Sequence, residues 1–114
     1  MVTLEEAKTY LRVDSDYDDS IIAFILASAE ALCSDVARLS ADDWKALTEY
    51  SGEDNLTIRS EVKTHAEVMQ IKSLLHISIL YTLGYLYEHR EEADHQDLVL
   101  TLRSLLFAIR EGIS

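Results

Sequence analysis

The scarcity of chain-reversing residues is the strongest constraint on this fold. The sequence of 114 residues contains no proline and only three glycines. A sheet protein of this size needs many tight turns built from these residue types, whereas helices joined end to end need few. Hydrophobic residues make up 48% of the chain, which is enough to form a core at this length. We therefore predict an all-α fold, a small bundle of about four to five helices forming a single domain over residues 1–114.

Capping signals predict where the first two helices begin. Thr3 followed three residues later by Glu6 is a capping box, so a first helix is expected to open near Leu4. A second helix is predicted from about Asp18 to Arg38, with Asp16 or Asp18 as its N-terminal cap. Together with the third helix it forms the expected long central hairpin of the bundle.

The remaining chain divides into a variable middle and two further helices. Residues 39–61 are expected to form a loop region that includes a short helix over Ala41 to Tyr50, for which Ser40 with Asp43 is the N-terminal signal. Leu56 to Ile58 favours β structure but is too short to build a sheet alone. The third main helix is predicted to begin between Ser60 and Val62 and to end near His89. A final helix is predicted from Asp94 to Glu111.

The predicted second helix has apolar residues on most of its circumference. Such a surface cannot be covered by one neighbouring helix, so this helix is either central to the bundle or shared with another subunit. Its apolar positions form two adjacent stripes and a third group: Ile21, Ile25, Ala29, Leu32 and Val36; Ile22, Leu26, Cys33 and Ala37; Phe24, Ala27 and Ala31.

Charge and cysteine content exclude several classes of protein. The formal net charge of −11 repels phosphate, so high-affinity binding of free duplex DNA is not expected. A single cysteine, Cys33, rules out an internal disulfide framework. The N-terminal residues show no secretion signal. The uncharged stretch Ser73 to Tyr87 is too short to cross a bilayer, so we predict a buried core helix and no membrane partner.

No constellation of catalytic or metal-binding residues satisfies the requirements of its chemistry. Asp14, Asp16 and Asp18 have calcium-loop spacing, but Asp19 and Ile25 stand where that loop needs glycine and glutamate. A lone Glu-x-x-His unit at residues 92–95 lacks the second copy that di-iron bundles use. His76 is interpreted as a hydrogen-bonded core histidine. Because nucleophile and phosphate-loop motifs are also missing, we predict no enzymatic activity, no cofactor and no metal.

Three segments together resemble the head-tail connector, or head-completion adaptor, proteins of tailed phages. The stretch Leu4 to Ile22 is similar to the opening motif of that family. Leu80 to Glu91 resembles its Leu-Tyr-x-x-Arg-Glu helix end, and Leu102 to Arg110 resembles its closing helix. The usual proline before the last helix is replaced here by Asp94 and His95.

This resemblance implies a structural role in the virion neck, with assembly in the host cytoplasm. The expected partners are other copies in a ring of roughly twelve subunits, the portal protein and a neck or tail-completion protein. DNA would pass through the ring without sequence-specific binding. The expected subunit interface comprises Ile21, Phe24, Ile25 and Ala31. The expected portal-docking residues are Leu106, Phe107 and Arg110.

Other functional classes remain open at this point. A small acidic helical module that regulates another protein would need no virion role and would form no ring. A helix-turn-helix DNA binder needs a basic recognition helix, yet the two longest predicted helices carry few Lys or Arg residues. A metal-dependent enzyme would contain bound metal.

Overall fold

The fold is helical, as the sequence predicts. The computed structural model describes residues 1–52, 55–89, 91 and 94–111. In chain order these residues form α1 (Leu4–Leu11), α2 (Asp19–Val36), α3 (Ala41–Glu49), β1 (Leu56–Ile58), β2 (Glu61–Lys63), α4 (His65–Glu88), α5 (Gln96–Leu105) and α6 (Phe107–Arg110). The all-α class is confirmed, with one two-stranded hairpin added among the described residues.

Local capping chemistry sets the ends of α1. The Thr3 hydroxyl accepts a hydrogen bond from the Glu6 backbone at 3.1 Å, and the Glu6 carboxylate accepts from the Thr3 backbone at 3.3 Å. This is the predicted capping box, which satisfies backbone donors that the first helical turn leaves free. Arg12 ends the helix in a left-handed conformation with φ of 59°.

The long helices α2 and α4 form the centre of the molecule and run in opposite directions. Contacts of α1 with both helices define this arrangement. Along α4, Glu6 lies near His76 and Tyr10 lies near Gly84, so α1 and α4 run in the same direction. Along α2 the order is reversed, because the N-terminal ammonium group binds Glu30 and the Lys8 ammonium group binds Asp19.

The core lies between these helices and the inner side of α5. Its large, fully buried hydrophobic residues come from α2, α3, the hairpin, α4, α5 and the position just after α5. They are Ile22, Leu47, Ile58, Leu75, Ile79, Leu83, Leu98, Leu102 and Leu106. A small polar chain crosses the core. The Thr82 hydroxyl donates to the Ser78 carbonyl at 2.8 Å, and Cys33 Sγ lies 3.5 Å from the same hydroxyl oxygen. Either the Cys33 thiol or the Thr82 hydroxyl is able to donate in this contact.

The described residues of the middle region form a helix and a hairpin. A second capping box, Ser40 with Asp43, opens α3 as predicted. β1 and β2 pair in antiparallel fashion, with Leu56 opposite Lys63. The two residues between the strands, Arg59 and Ser60, both have positive φ, at 52° and 67°. Two-residue hairpin loops favour this backbone because its twist matches that of the strands.

The predicted start of the third main helix is wrong, because β2 occupies Glu61–Lys63. α4 instead begins at His65 after a third capping box, in which the Thr64 hydroxyl accepts from the Glu67 backbone at 3.3 Å. The Thr64-x-x-Glu67 pattern was the available signal for this boundary. The end of the helix at Glu88 agrees with the prediction to within one residue.

The predicted final helix is interrupted. α5 ends at Leu105 and α6 begins at Phe107, with Leu106 between them at φ of −101° and ψ of 11°. Leu106 is fully buried, so this break turns one apolar side chain inward while the next residue, Phe107, remains half-exposed.

Two smaller expectations need correction. The His76 side chain is 39% exposed and its Nε2 lies 3.3 Å from the Glu6 carboxylate, so it is a surface residue between α1 and α4 and not a core histidine. The α2 start at Asp18 has no side-chain capping bond. Lys8 instead holds this end of α2 through ion pairs to Asp16 and Asp19.

Within the described ranges, no single helix has both the length and the apolar composition required to cross a membrane. The bent pair of α2 and α3, whose axes differ by 114°, meets these criteria only when the two helices are taken together.

Gly84 provides a test of how tightly α1 packs on α4. A Cβ atom added at Gly84 would lie 3.1 Å from Cε2 of Tyr10, whose half-exposed ring has room to shift outward. Because glycine costs about 1 kcal/mol relative to alanine in a helix interior, we predict that Gly84→Ala raises the free energy of unfolding by about 0.5–1 kcal/mol in urea titrations. A Tyr10→Ala background is the control. If Gly84→Ala lowers the free energy of unfolding in the wild-type background but raises it in the Tyr10→Ala background, the Tyr10 ring does not move aside for the added Cβ atom.

The buried thiol gives an alkaline pH dependence. Burial raises the pKa of Cys33 from 9.0 to about 11, against the opposing effect of its hydrogen bond with Thr82. The folded state therefore holds this proton more tightly than the unfolded state does, and the resulting stabilisation is complete below pH 9 and lost as the pH rises towards 11. We predict that the free energy of unfolding falls more steeply over this interval in the wild type than in Cys33→Ala. Parallel slopes would contradict the assignment.

Candidate assembly surfaces

The acidic turn, residues Asp14 to Asp18, is held at one end of α2 by a single cation. Lys8 Nζ lies 2.8 Å from Asp19 Oδ1 and 2.9 Å from Asp16 Oδ1. These contacts raise the pKa of Lys8, first through Asp19 and then through Asp16, and Lys8 lowers the pKa of Asp16. The turn is thus fixed on α1 while its Tyr17 side chain remains 93% exposed.

The outer α2 face, formed by Ile21, Phe24, Ala27 and Ala31, points away from the core. All four residues are exposed, and Phe24 is 74% exposed. Their spacing of three or four residues places them in one row on the helix. The opposite side of α2 is buried in the subunit, so this row is the apolar surface that one subunit cannot cover. Contiguous exposed apolar surface of this kind is typical of protein interaction sites.

The end of the chain presents a second apolar surface, the α5–α6 surface, formed by Leu100 and Phe107. Each side chain is 52% exposed; Leu100 lies on α5, and Phe107 is the first residue of α6, after the break at Leu106. The exposed Arg103 lies between them in sequence. The inner side of α5, through Leu98 and Leu102, belongs to the core.

A basic pocket of about 380 Å³ lies where the end of α2, the hairpin, the first half of α4 and α6 meet. Its apolar lining includes Ile58, Ile71, Leu74 and Ile109. Its charged residues are Arg38, Arg59, Lys63 and Arg110, with Glu61, Glu67 and Glu111. The pocket therefore holds four of the ten Lys and Arg residues of the chain and has a formal charge of +1, in a protein of formal charge −11.

The cations of the basic pocket differ in their freedom to bind a partner. The Arg59 guanidinium donates to the Ile109 and Arg110 carbonyl oxygens and so ties the hairpin to α6. Lys63 binds Glu61 at 3.1 Å, and Arg110 binds Glu111 at 3.0 Å. Arg38 is exposed, lies at the C-terminal end of α2 with φ of 59°, and its guanidinium makes no hydrogen bond or ion pair within the described part of the chain.

The structure separates the residues expected at the subunit interface. Ile21, Phe24 and Ala31 share the outer α2 face, whereas Ile25 is buried, only 7% exposed, and packs in the core. It supports the helix and does not form part of the exposed surface of the subunit.

The expected portal-docking residues also fall in different places. Phe107 is exposed on the α5–α6 surface, whereas Leu106 is completely buried and Arg110 lines the basic pocket. Sequence reasoning missed the pocket because its residues come from four separate segments. Two residues that line the pocket, Arg38 and Arg59, have positive φ, and this backbone conformation is not visible in the sequence.

No group of three or more His, Cys, Asp or Glu side chains is placed to hold a metal ion within the described ranges. Glu92 of the Glu-x-x-His unit lies outside the described residues. The three acidic residues with calcium-loop spacing, Asp14, Asp16 and Asp18, form the acidic turn beside Lys8.

Comparisons with known proteins were made on the whole chain. Neither the curated proteins nor the solved structures gave a match. A family model described as phage gp6-like head-tail connector protein matches residues 1–114, which is the family that the sequence motifs resemble. This match spans α1, both central helices and the α5–α6 end of the chain. The chain therefore belongs to the phage gp6-like head-tail connector family.

Proposed function

We propose that this protein forms a ring beneath the portal vertex, where it extends the DNA channel and joins the head to a neck or tail-completion protein. Family membership over residues 1–114 carries this proposal. The surface chemistry of the subunit supports it, because a single chain leaves an aromatic residue, Phe24, 74% exposed in an apolar row. We propose no catalytic activity.

The outer α2 face is proposed to form part of the contact between neighbouring subunits. Cyclic rings use heterologous contacts, in which one surface of a subunit meets a different surface of the next. Ile21, Phe24 and Ala31 supply one such surface, and Ile25 keeps α2 seated on the core behind it. A ring of roughly twelve copies would use this contact once per neighbouring pair.

The α5–α6 surface is proposed to dock on the portal. Phe107 and Leu100 supply apolar contacts, and the buried Leu106 fixes the direction in which Phe107 leaves the core. Arg110 contributes from the edge of the basic pocket. Docking through one end of the subunit leaves α2 free to contact its neighbours.

The acidic character of the chain fits a channel that DNA must pass without adhering. A formal charge of −11 repels the phosphate backbone, and repulsion disfavours the counterion-release binding that basic proteins achieve. We place the assembled protein in the virion neck and its assembly in the host cytoplasm.

Replacing Phe24 tests the proposed subunit contact. We predict that Phe24→Glu prevents ring formation on purified portal, as seen by negative-stain electron microscopy, because it places a charge in an apolar interface. The substitution is at an exposed site, so the free energy of unfolding should change by no more than about 0.5 kcal/mol. Ile77→Glu is the matched control, since Ile77 is 58% exposed but lies on α4. Normal rings from Phe24→Glu would remove the outer α2 face from the interface.

Replacing Phe107 tests portal docking. Deleting α5 and α6 would remove the core residues Leu98, Leu102 and Leu106, so point substitutions are the sharper choice. We predict that Phe107→Asp, and more weakly Leu100→Asp, lower the affinity for portal at least tenfold in a pull-down titration. Circular dichroism should remain that of the wild type, and Ile77→Asp should bind normally. Undiminished binding by both variants would place the docking site elsewhere.

A further inference from the structure

We propose that the acidic turn of one subunit inserts Tyr17 into the basic pocket of the next subunit. This inference rests on the proposed ring and specifies the two different surfaces that meet within it. Two features at opposite ends of α2 carry this inference. At one end, the Tyr17 side chain is exposed among carboxylates. At the other end lies an apolar pocket whose lining includes cations.

The inserting surface has an exposed aromatic ring at its centre and carboxylates around it. Tyr17 is 93% exposed, although the turn that carries it is fastened to α1 by Lys8. Asp14 is exposed, and the carboxylates of Asp14 and Asp18 make no ion pair or hydrogen bond within the described residues.

The receiving surface has the complementary chemistry. Its volume of about 380 Å³ is within the range that accommodates small ligands, and its walls include the side chains of Ile58, Ile71 and Leu74. The guanidinium of Arg38 has no partner among the described residues, belongs to an exposed residue that lines the pocket, and is able to pair with a carboxylate or to lie against an aromatic ring. A tyrosine flanked by aspartates offers an aromatic ring to the apolar walls and carboxylates to the guanidinium.

The two surfaces cannot meet within one subunit. The acidic turn precedes Asp19 and Arg38 follows Val36, so the whole of α2 separates them, a distance of roughly 27 Å at 1.5 Å per residue. Their pairing must therefore join two copies, and a contact between opposite ends of the same helix is heterologous. Repetition of a heterologous contact closes into a ring when the rotation per subunit allows it.

Charge complementarity selects a second copy as the occupant. Two copies of a chain with formal charge −11 repel each other over most of their surfaces. The basic pocket is a place where positive charge exceeds negative charge, and the acidic turn of the same chain supplies the opposite sign. Contact at this position lowers the repulsion between copies and fixes their relative orientation.

Cross-linking between two single-cysteine additions tests the pairing directly. Ser15→Cys lies in the acidic turn and leaves Tyr17 and the aspartates in place, and Gln70→Cys lies at the pocket and leaves its cations in place. The native Cys33 is buried with a raised pKa, so it does not react with a short bismaleimide at pH 7. Both variants are assembled together on portal, and rings are verified by electron microscopy before the reagent is added.

We expect a covalent dimer only when the two variants are mixed, and a ladder of oligomers when both substitutions are in one chain. Gln70→Cys mixed with Ile77→Cys, whose position is exposed on α4 and lies outside both proposed contact surfaces, should give no dimer. Rings without the mixed cross-link, a Ser15→Cys homodimer, or attachment of Gln70→Cys to portal would each overturn the inference while leaving the proposed function intact. Failure of the wild-type protein to assemble on portal would overturn the proposed function and this inference together.

A charge reversal gives an independent measurement. Arg38→Glu should raise the protein concentration needed for half-maximal ring formation at least tenfold, because it sets like charges against each other at the contact. Lys45→Glu, an equal charge change at an exposed position of α3, should leave that concentration within twofold of the wild type. Unchanged assembly by Arg38→Glu would overturn the inference.

Discussion

The antiparallel packing of α2 against α4 is the interaction on which the rest of this structure depends. It buries Ile22, Leu26 and Cys33 on one side of α2 and creates the groove in which α1 lies. Because α2 is apolar on almost every side, burying its inner face in the core leaves the apolar residues of its outer face exposed to water. The same packing therefore forms the core and determines which residues remain for assembly.

The exposure of Phe24 has no explanation in the stability of the isolated subunit. Hydrophobic stabilisation is proportional to the apolar area removed from water, and a side chain that stays 74% exposed removes little. Exposed aromatic residues also favour aggregation, which is a cost to a monomer. An aromatic residue in this position becomes favourable once a partner covers it, as expected for a subunit of a family of connector proteins.

The sequence predicts the parts of this fold that depend on local chemistry. The boxes at Thr3 and Ser40 identify their helices because each capping interaction involves residues three positions apart. The start of α4 was missed because the hairpin before it depends on positive φ at Arg59 and Ser60, two residues with no strong preference for that conformation. The break at Leu106 has a similar origin, since only tertiary packing requires that side chain to turn inward.

The candidate assembly surfaces also differ in how far the sequence predicts them. The outer α2 face repeats every three or four residues and was visible as excess apolar character in one helix. The basic pocket joins the end of α2, the hairpin, α4 and α6, and no pattern in the sequence brings Arg38, Arg59 and Arg110 together. Burial likewise separates neighbours that look equivalent in the sequence, such as Leu106 and Phe107.

For the proposed ring, the balance between attraction and repulsion would favour assembly on the portal over assembly in free solution. The outer α2 face is a narrow row, and its apolar gain competes with repulsion between chains of formal charge −11. Docking several copies on one portal raises their effective concentration without any new contact between them. In the proposed ring, weak contacts between neighbouring subunits would then be sufficient for closure, and the same contacts would leave unbound subunits apart.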